Sequence, residues 1–386
     1  MDMKTRQRTS NVILAFFSVF LALLLCEAGL RFLPSFRANV YYAWPPYFHS
    51  ILKPLPEIVI GVSGESRFFI NSKGIRGDET PADPLVYKIL AIGGSSTEAT
   101  FLDQEEAWPF LLQKRLKDVT GKEAWVGNSG KSGNTARHHI LQIKYLLPQF
   151  SDIDAIIVLA GINDLTVTLS RDKDNANYDE SEEELLTQAF SMIPVGRKNS
   201  LAFYKKTAIW QVCKKIKYLI FSAGEIQDAE GRQYITWRGH RQNAKAIRNA
   251  LPDMSQALEE YSKNINTMID LAKERGCRII FVTQPVLWRS DLSKELESLL
   301  WLGGIGNFQK EKGKEYYSAG ALAKGMELYN EALLKVCRDR QVECVDLASM
   351  LPKDTTVFYD DCHFNESGSR KVSEILAQYL LQHPNN

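Results

Sequence analysis

Residues 86–97 read VYKILAIGGSST, and this stretch decides the fold class of the chain. A mostly apolar run is followed at once by two glycines and two serines, which is typical of a buried strand that ends in a tight turn before a helix. Further short apolar runs stand at 124–126, 155–160, 278–283 and 342–345. Amphipathic stretches, with apolar residues at three- and four-residue spacing, stand at 105–119, 261–275 and 321–338. This alternation predicts a parallel α/β sheet with a ligand site at the carboxyl ends of its strands.

An apolar run near the N-terminus predicts a membrane-spanning helix. Residues 12–33 contain two charged side chains, Glu27 and Arg31, whose spacing lets them pair on one helix face. About 20 apolar residues are enough to span a bilayer. Because basic residues outnumber acidic ones in residues 1–10, we expect the N-terminus in the cytoplasm and the rest of the chain outside it. A cleaved secretory signal is the alternative.

The composition of the chain excludes several classes of function. Its 386 residues include 47 Lys and Arg against 46 Asp and Glu, which gives a net charge of +1. A protein that binds nucleic acid needs a concentrated basic surface, so this balance predicts no nucleic-acid partner. The six cysteines lack Cys-x-x-Cys spacing, and the pair His138 and His139 lacks His-x-x-x-His spacing. We therefore predict no metal site and expect no cofactor.

The chain is expected to divide into a lead, a connector and one large domain. The predicted parts are a cytoplasmic N-terminus at 1–10, a signal anchor at 11–33, a connector packed on the domain at 34–84, and an α/β domain at 85–386. The domain carries an insertion at about 165–255. Within it, residues 172–184 are acidic and residues 203–221 are basic and amphipathic. The basic stretch fits either a helix that covers its own domain or one that rests on a membrane surface.

Polar residues follow the predicted strands at the point where each strand ends. Ser95 comes directly after the first strand and two glycines, a position that suits a nucleophile whose own N–H faces a developing oxyanion. Residues 128–135 (NSGKSGNT) follow the second strand, and residues 161–164 (GIND) follow the third. Because parallel strands present their carboxyl ends at one edge of a sheet, we expect these segments to lie together. Each segment taken alone is also an ordinary turn.

Residues 358–365 (FYDDCHFN) offer a base and a carboxylate. His363 is the only one of the six histidines that stands three residues after an aspartate. A general base must take the serine proton, and a carboxylate on its other ring nitrogen fixes the tautomer and supports the imidazolium. Asp360 stands at the three-residue offset, and Asp361 is the competing carboxylate. A simple surface contact between Asp and His is the alternative interpretation.

Taken in order, these segments resemble the motifs of the SGNH hydrolases, also called the GDSL esterase/lipase family. Residues 93–96 stand where the family has Gly-Asp-Ser-Leu, and residues 128–135 match its second motif. Residues 161–164 match Gly-x-Asn-Asp, and residues 360–363 match Asp-x-x-His. The resemblance covers about residues 85–380. Gly94 departs from the pattern, because it replaces the Asp of the first motif and leaves open what holds that loop.

The resemblance implies a three-layer α/β/α sandwich with a five-stranded parallel sheet, of the SGNH or flavodoxin-like type. It makes Ser95 the nucleophile, His363 the base and Asp360 the carboxylate that orients the base. The expected oxyanion hole consists of the Ser95 N–H, the Gly133 N–H and the side-chain amide of Asn163. The activity that follows is cleavage of acyl esters through an acyl-Ser95 intermediate.

An exported domain is expected to act on an envelope or extracellular molecule. O-acetyl groups on a polysaccharide are the first expectation, and short-chain lipid esters are the second. An O-acyltransferase that uses the same residues is an alternative, and so is a non-catalytic binding or assembly partner in polysaccharide export. Trp237, Trp288 and Trp301 fit either a carbohydrate-stacking site or the core.

Overall fold

The computed structural model describes residues 3–32, 40–171, 180–194, 204, 207–210, 212–213, 216, 226 and 228–384. Within these residues the chain forms one five-stranded sheet, two two-stranded sheets and the helices around them. Most of the acidic stretch at 172–184 and of the basic stretch at 203–221 lies outside the described residues, and so does the beginning of the predicted connector.

The central sheet contains five parallel strands in the order β4-β3-β5-β7-β9. They are β3 (Tyr87–Gly93), β4 (Ala124–Asn128), β5 (Ala155–Leu159), β7 (Arg278–Val282) and β9 (Glu343–Val345). Each strand lies within one or two residues of an apolar run in the sequence. The strand interiors are buried because helices cover both faces of the sheet. The prediction of a parallel α/β sheet with five strands is confirmed.

The remaining strands form short pairs outside this sheet. β1 (His49–Leu52) pairs with β2 (Ser66–Phe69) in antiparallel fashion, and β6 (Ala246–Arg248) runs parallel to β8 (Glu315–Tyr317). The helices of the described residues are α1 (Met3–Phe32), α2 (Ser95–Glu98), α3 (Trp108–Thr120), α4 (Ala136–Leu141), α5 (Ile162–Ser170), α6 (Glu182–Ala189), α7 (Gln233–Gln242), α8 (Ser255–Glu274), α9 (Lys294–Glu297), α10 (Ala319–Arg340), α11 (Leu347–Met350) and α12 (Glu366–Gln382).

The strand order creates a topological switch point between β3 and β5. The chain passes from β3 to β4 on one side and then crosses back to β5, β7 and β9 on the other. Right-handed crossovers therefore place helices on opposite faces of the sheet. In agreement, α3 packs against α12, while α8 packs against α4 and α10. The loops after β3 and β5 diverge at the switch point and leave a crevice in which a ligand can bind.

Local signals in the sequence set the ends of the main helices. Pro109 stands in the first turn of α3, where its missing N–H costs nothing, and Gly121 ends the helix with a left-handed φ of 66°. The side chain of Ser318 accepts a hydrogen bond from the backbone N–H of Ala321 and so begins α10. The helices consequently start and end a few residues away from the limits that periodicity alone predicts.

Residues 40–84 place a buried arginine beneath the turn that follows β3. The guanidinium of Arg76 donates to the carbonyl oxygens of Glu98 at 2.6 Å, Ala99 at 2.7 Å and Leu102 at 2.6 Å. The guanidinium carbon Cζ of Arg76 lies 4.6 Å from the centre of the Phe68 ring on β2. Burial lowers the pKa of Arg76 to about 10, although nearby carboxylates oppose the change. The segment before the α/β domain therefore supports the loop that carries Ser95.

The apolar lead forms a single helix. Among the described residues, Asn11–Phe32 of α1 is the one helix long and apolar enough to cross a membrane. A signal sequence near an N-terminus passes the same test of length and composition. Glu27 of this helix forms an ion pair with Arg31 at 2.7 Å, as their spacing predicts.

We expect the substitution Arg76→Met to destabilise the protein strongly. The carbonyl oxygens of Glu98 and Leu102 would stay buried without the donor that Arg76 provides, which should lower the free energy of unfolding by about 3 kcal/mol or more. Chemical denaturation of the detergent-solubilised full chain measures this loss. The matched control is Arg67→Met, because Arg67 lies in the same segment but is half-exposed and bonds to Asp103 at the surface. Equal losses in both variants would contradict the supporting role.

Candidate active site

Ser95 lies where β3 ends and the short helix α2 begins, next to the switch point of the sheet. Its hydroxyl oxygen lies 2.7 Å from Nε2 of His363. Nδ1 of the same imidazole lies 2.6 Å from Oδ2 of Asp360. Three residues that are far apart in the sequence thus form a continuous hydrogen-bonded relay. This is the geometry that a serine nucleophile, a general base and an orienting carboxylate require.

The tight turn at 360–363 explains why one short loop supplies both base and carboxylate. Oδ1 of Asp360 accepts backbone hydrogen bonds from Cys362 at 3.0 Å and from His363 at 2.9 Å. These bonds turn the other oxygen, Oδ2, towards the imidazole. The indole N–H of Trp301 donates to Oδ2 as well, at 2.9 Å. The carboxylate is fully buried and accepts four hydrogen bonds in all.

Burial and the charge of the partner shift the pKa of Asp360, and that of His363, in opposite directions. Burial by itself would raise the pKa of Asp360, but attraction to His363 and the hydrogen bonds from His363 and Trp301 outweigh it, so that the pKa is lowered. Burial by itself would lower the pKa of His363, but attraction to the Asp360 carboxylate outweighs it and raises the pKa well above the ordinary value. The relay therefore stabilises a charged imidazolium beside a charged carboxylate.

Asp361, the competing carboxylate, faces away from the imidazole. It accepts hydrogen bonds from the Trp288 indole at 2.7 Å and from the backbone N–H groups of Trp301 at 2.8 Å and Leu302 at 3.3 Å. Burial, and then repulsion from Asp360, raise its pKa to about 6. Asp361 is therefore placed to hold neighbouring loops, and Asp360 is the carboxylate in contact with the imidazole of His363.

The expected oxyanion donors lie around Ser95. Gly133 adopts a left-handed φ of 80°, and Asn163 stands in the first turn of α5 after β5. The side-chain amide of Asn163 donates to the carbonyl of Asn134 at 2.8 Å, which fixes its plane and leaves its second hydrogen for a ligand. Ser95, Gly133 and Asn163 line one cleft. Their roles as donors to an oxyanion stay a prediction.

The loop after β3 keeps its shape without the Asp that Gly94 replaces. A Cβ atom at position 94 would lie 2.5 Å from Nδ2 of Asn163, so a side chain there would displace the amide. Other residues hold the loop: the hydroxyl of Ser96 donates to the Cys362 carbonyl at 3.1 Å, and Asn128 donates to the Thr97 carbonyl at 2.7 Å. Gly94 thus allows the close approach of Asn163 to Ser95.

The residues above open into a cleft of about 540 Å³. Aromatic side chains form much of its wall: Phe101, Tyr234, Trp237, Trp301, Phe308 and Tyr359. The rings of Trp237 and Trp301 stack with centres 4.5 Å apart. Trp288 is fully buried and lies in the core. Two of the three tryptophans that fit either a stacking site or the core therefore line the cleft.

Sequence reasoning missed a carboxylate in the cleft. Glu98 is buried at the end of α2 and accepts hydrogen bonds from the backbone N–H of Ser132 and the hydroxyl of Thr100. It therefore ties the loop of Ser95 to the loop of Gly133. Its place directly after Ser95, Ser96 and Thr97 is the one signal that could have marked it.

The side chain of Asp164 also links the third motif to the second. Asp164 is partly buried, and its two carboxylate oxygens accept the backbone N–H of Ala136 at 3.0 and 3.2 Å, at the start of α4. Burial raises its pKa to about 7. Asp164 thus holds the segment after Gly133 close to Asn163.

One group of side chains in the described residues could hold a metal ion by distance alone. It consists of Asp360, Cys362 and His363, whose ligand atoms lie within 4.8 Å of one another. The carboxylate and the imidazole of this group already bind each other and Ser95. Their arrangement is therefore accounted for by the relay.

Comparison with known proteins identifies a family whose model matches most of the chain. Residues 91–371 match the model of the GDSL-like lipase/acylhydrolase family. None of the curated proteins that were compared matches the chain.

Three solved structures illustrate the similarity. A lipase/acylhydrolase from Enterococcus faecalis is 13% identical, with 78% of this chain and 100% of that chain covered and a TM-score of 0.39. A carbohydrate acetylesterase from Sinorhizobium meliloti is 11% identical, with 77% and 99% covered and a TM-score of 0.40. An α/β hydrolase from the metagenome of Lake Arreo, Spain, is 13% identical, with 77% and 96% covered and a TM-score of 0.39.

We expect Gly94→Ala to impair turnover of a chromogenic acetyl ester. The added methyl group would push the Asn163 amide away from the oxyanion position, and loss of one such donor costs about 10²–10³ in turnover. The control is Gly239→Ala on α7, where a Cβ would meet nothing within 4 Å. Steady-state kinetics of both variants measure the effect. Unchanged turnover in Gly94→Ala would show that the amide of Asn163 is not needed at that place.

Proposed function

The chain belongs to the GDSL-like lipase/acylhydrolase family, and on that premise we propose that it is a serine esterase that cleaves acyl esters through an intermediate on Ser95. One observation carries this proposal: the hydrogen-bonded relay from Ser95 through His363 to Asp360, with distances of 2.7 and 2.6 Å. Such a relay activates an otherwise weak hydroxyl nucleophile. Its position in a cleft large enough for a small ligand supports the same conclusion.

In the proposed mechanism, His363 acts first as a base and then as an acid. Nε2 takes the proton of the Ser95 hydroxyl as Oγ attacks the ester carbonyl carbon. Asp360 accepts a hydrogen bond from the Nδ1–H group of His363 and stabilises the imidazolium. The oxygen of the tetrahedral intermediate accepts hydrogen bonds from the N–H groups of Ser95 and Gly133 and from the amide of Asn163.

The intermediate then collapses and releases the alcohol. The bond between the carbonyl carbon and the alcohol oxygen breaks, and the alcohol leaves with the proton held on His363. Water attacks the acyl-Ser95 ester, with His363 again accepting a proton, and a second collapse releases the carboxylic acid and restores the Ser95 hydroxyl. Each proton that His363 accepts is thus returned within the same half-reaction.

The side chains that line the cleft suit a carbohydrate that carries an O-acetyl group. The half-buried indole of Trp237 offers a flat apolar surface on which the C–H face of a sugar ring can pack. Asp228, Gln233 and Gln309 line the same cleft and can bond to hydroxyl groups. The near-neutral charge of the chain fits an uncharged ester.

We further propose that α1 stays attached and anchors the domain to a membrane on its extracytoplasmic side. The apolar span Asn11–Phe32 is long enough, and basic residues precede it. Near the far end of the span, the Glu27 carboxylate accepts backbone hydrogen bonds from Ala208 at 2.9 Å and Ile209 at 3.0 Å. A charge near the bilayer edge is thereby compensated, and the end of the span contacts the insertion of the domain.

The nucleophile is tested by labelling with a fluorophosphonate, which reacts covalently with an activated serine. We expect the full chain to be labelled and Ser95→Ala to be neither labelled nor active. Thr97→Ala, a matched loss of a hydroxyl on the same short helix, should keep the label. Full esterase activity in Ser95→Ala would contradict the proposal.

Two further outcomes would identify the alternative functions. An unlabelled but folded native chain would favour a binding role. Transfer of labelled acetate to a sugar without release of acetate would identify an O-acyltransferase.

The anchor is tested by extraction of membranes with alkaline carbonate. We expect the native chain to stay in the membrane pellet with its full mass, because an intact span resists this treatment. A variant that lacks residues 1–33 should appear in the soluble fraction. A soluble native product whose mass shows that the span has been removed would mean that this segment is a cleaved signal.

A further inference from the structure

We propose that Trp301 is a positioning residue of the relay, which holds the Asp360 carboxylate towards His363 and limits its basicity. This inference rests on the proposed function of the relay in ester cleavage. Trp301 belongs to none of the four motifs that resemble the family. It lies in the loop before β8, 59 residues before Asp360 along the chain.

The contact between Trp301 and Asp360 is a direct hydrogen bond to the reactive oxygen. Oδ2 of Asp360 accepts from the indole N–H at 2.9 Å and from Nδ1 of His363 at 2.6 Å. The indole is a donor only, so it cannot take a proton from the carboxylic acid or from the imidazole. A second donor on this oxygen spreads its negative charge and lowers its proton affinity. The proton is therefore kept on His363, in the tautomer that leaves Nε2 free for Ser95.

The backbone of Trp301 is fixed from the other side by the neighbouring carboxylate. Asp361 accepts the backbone N–H of Trp301 at 2.8 Å, and its other oxygen accepts the indole N–H of Trp288 at 2.7 Å. All these groups are buried, so water does not compete for the donors. The two carboxylates of the turn thus hold Trp301 by its side chain and by its main chain.

Two buried arginines of α7 hold the same loop. Arg238 donates to the carbonyls of Leu299 at 3.2 Å and Tyr359 at 3.0 Å. Arg241 donates to the carbonyl of Leu302 at 2.6 Å. The loop is therefore fixed on both sides of Trp301 and joined to the residue before Asp360. This amount of support is expected for a group whose position within a few tenths of an ångström matters.

The ring of Trp301 also connects the relay to the wall of the cleft. It stacks on Trp237 at 4.5 Å and an interplanar angle of 26°. Tyr234 contacts both indoles edge-on, at 5.3 and 5.8 Å. Trp237 is partly exposed in the cleft and has no bond to Asp360 among the described contacts, so it provides a matched comparison for Trp301.

Several ionisable groups surround His363 and must be considered in any pH measurement. Tyr359 stacks on the imidazole at 5.5 Å, the Tyr234 ring lies at 6.5 Å, and Sγ of Cys362 lies 3.9 Å from Nδ1. Burial raises the pKa of each of these three groups, so each of them stays neutral up to a higher pH than it would in water.

Asp361 also titrates close to neutral pH, because its pKa is raised to about 6. Its bonds to the loop are made by the backbone N–H groups of Trp301 and Leu302, which the substitution Trp301→Phe leaves in place. The positive charge of Arg241 opposes this rise in the pKa of Asp361. A difference in pH dependence between variants at positions 301 and 237 therefore reports the loss of the Trp301 indole N–H and not the titration of these neighbouring groups.

The test compares Trp301→Phe with Trp237→Phe in the full chain. Both variants replace one indole of the same stack by a smaller phenyl ring, but only Trp301→Phe removes a hydrogen-bond donor from Asp360. We expect Trp301→Phe to lower kcat by about tenfold to a hundredfold with little change in KM. Because the carboxylate becomes more basic, it stabilises the imidazolium more, and the acid limb of kcat/KM should move to higher pH by about half to one unit. Trp237→Phe should change KM and leave the acid limb in place.

A direct titration of His363 separates this proposal from the proposed function. Histidine labelled with ¹³C at Cε1 reports the imidazole pKa by NMR, and His363→Gln assigns the signal among the six histidines. A higher His363 pKa in Trp301→Phe alone supports the positioning role even if the native chain shows no esterase activity. Unchanged titration in Trp301→Phe, or an equal shift in Trp237→Phe, would overturn it. Thermal unfolding of both variants shows whether a loss of kcat reflects a loss of folded protein.

Discussion

The buried carboxylate of Asp360 is the constraint on which the rest of the site depends. An ionised carboxylate removed from water costs several kcal/mol unless its oxygens are hydrogen-bonded and a cation lies close. Here both oxygens are engaged, by two backbone N–H groups, an imidazole and an indole. Each donor must be held in place in turn. The turn at 360–363, the loop of Trp301 and the helix α7 can be understood as successive layers of that support.

Segments outside the strands of the sheet provide much of this support. Arg76, from the chain before the domain, holds the loop after Ser95 through three carbonyls. Arg238 and Arg241, from the long insertion, hold the loop of Trp301. Buried arginines suit this task because one guanidinium can satisfy several carbonyls in fixed geometry. The connector and the insertion therefore contribute to the site as well as to the surface of the domain.

Local patterns in the sequence were sufficient for the sheet, because strand ends are short-range signals. The grouping of Ser95 with His363 and Asp360 also needed the resemblance of four segments, taken in order, to the motifs of a known family. The supporting residues could not be predicted in this way. A tryptophan in the sequence can pack in a core, line a cleft or donate to a carboxylate, and nothing local distinguishes these cases for Trp301. Only the fold brings its indole to Asp360. Arg238 and Arg241 stand in a polar helix, where arginine is normally exposed. Their burial follows from long-range packing that periodicity does not contain.

Asp360 and Asp361 show how the environment assigns different tasks to neighbouring side chains. Attraction to His363 and the bonds from the imidazole and Trp301 keep Asp360 ionised in spite of its burial. The described hydrogen-bond donors to Asp361 are neutral N–H groups, and burial and repulsion from Asp360 raise its pKa to about 6. Both carboxylates bind Trp301, one at the side chain and one at the main chain. The position of Trp301 is consequently coupled to the charge of both groups. The acid–base behaviour of the relay is therefore set in part by a residue that lies outside the motifs from which the relay itself is recognised.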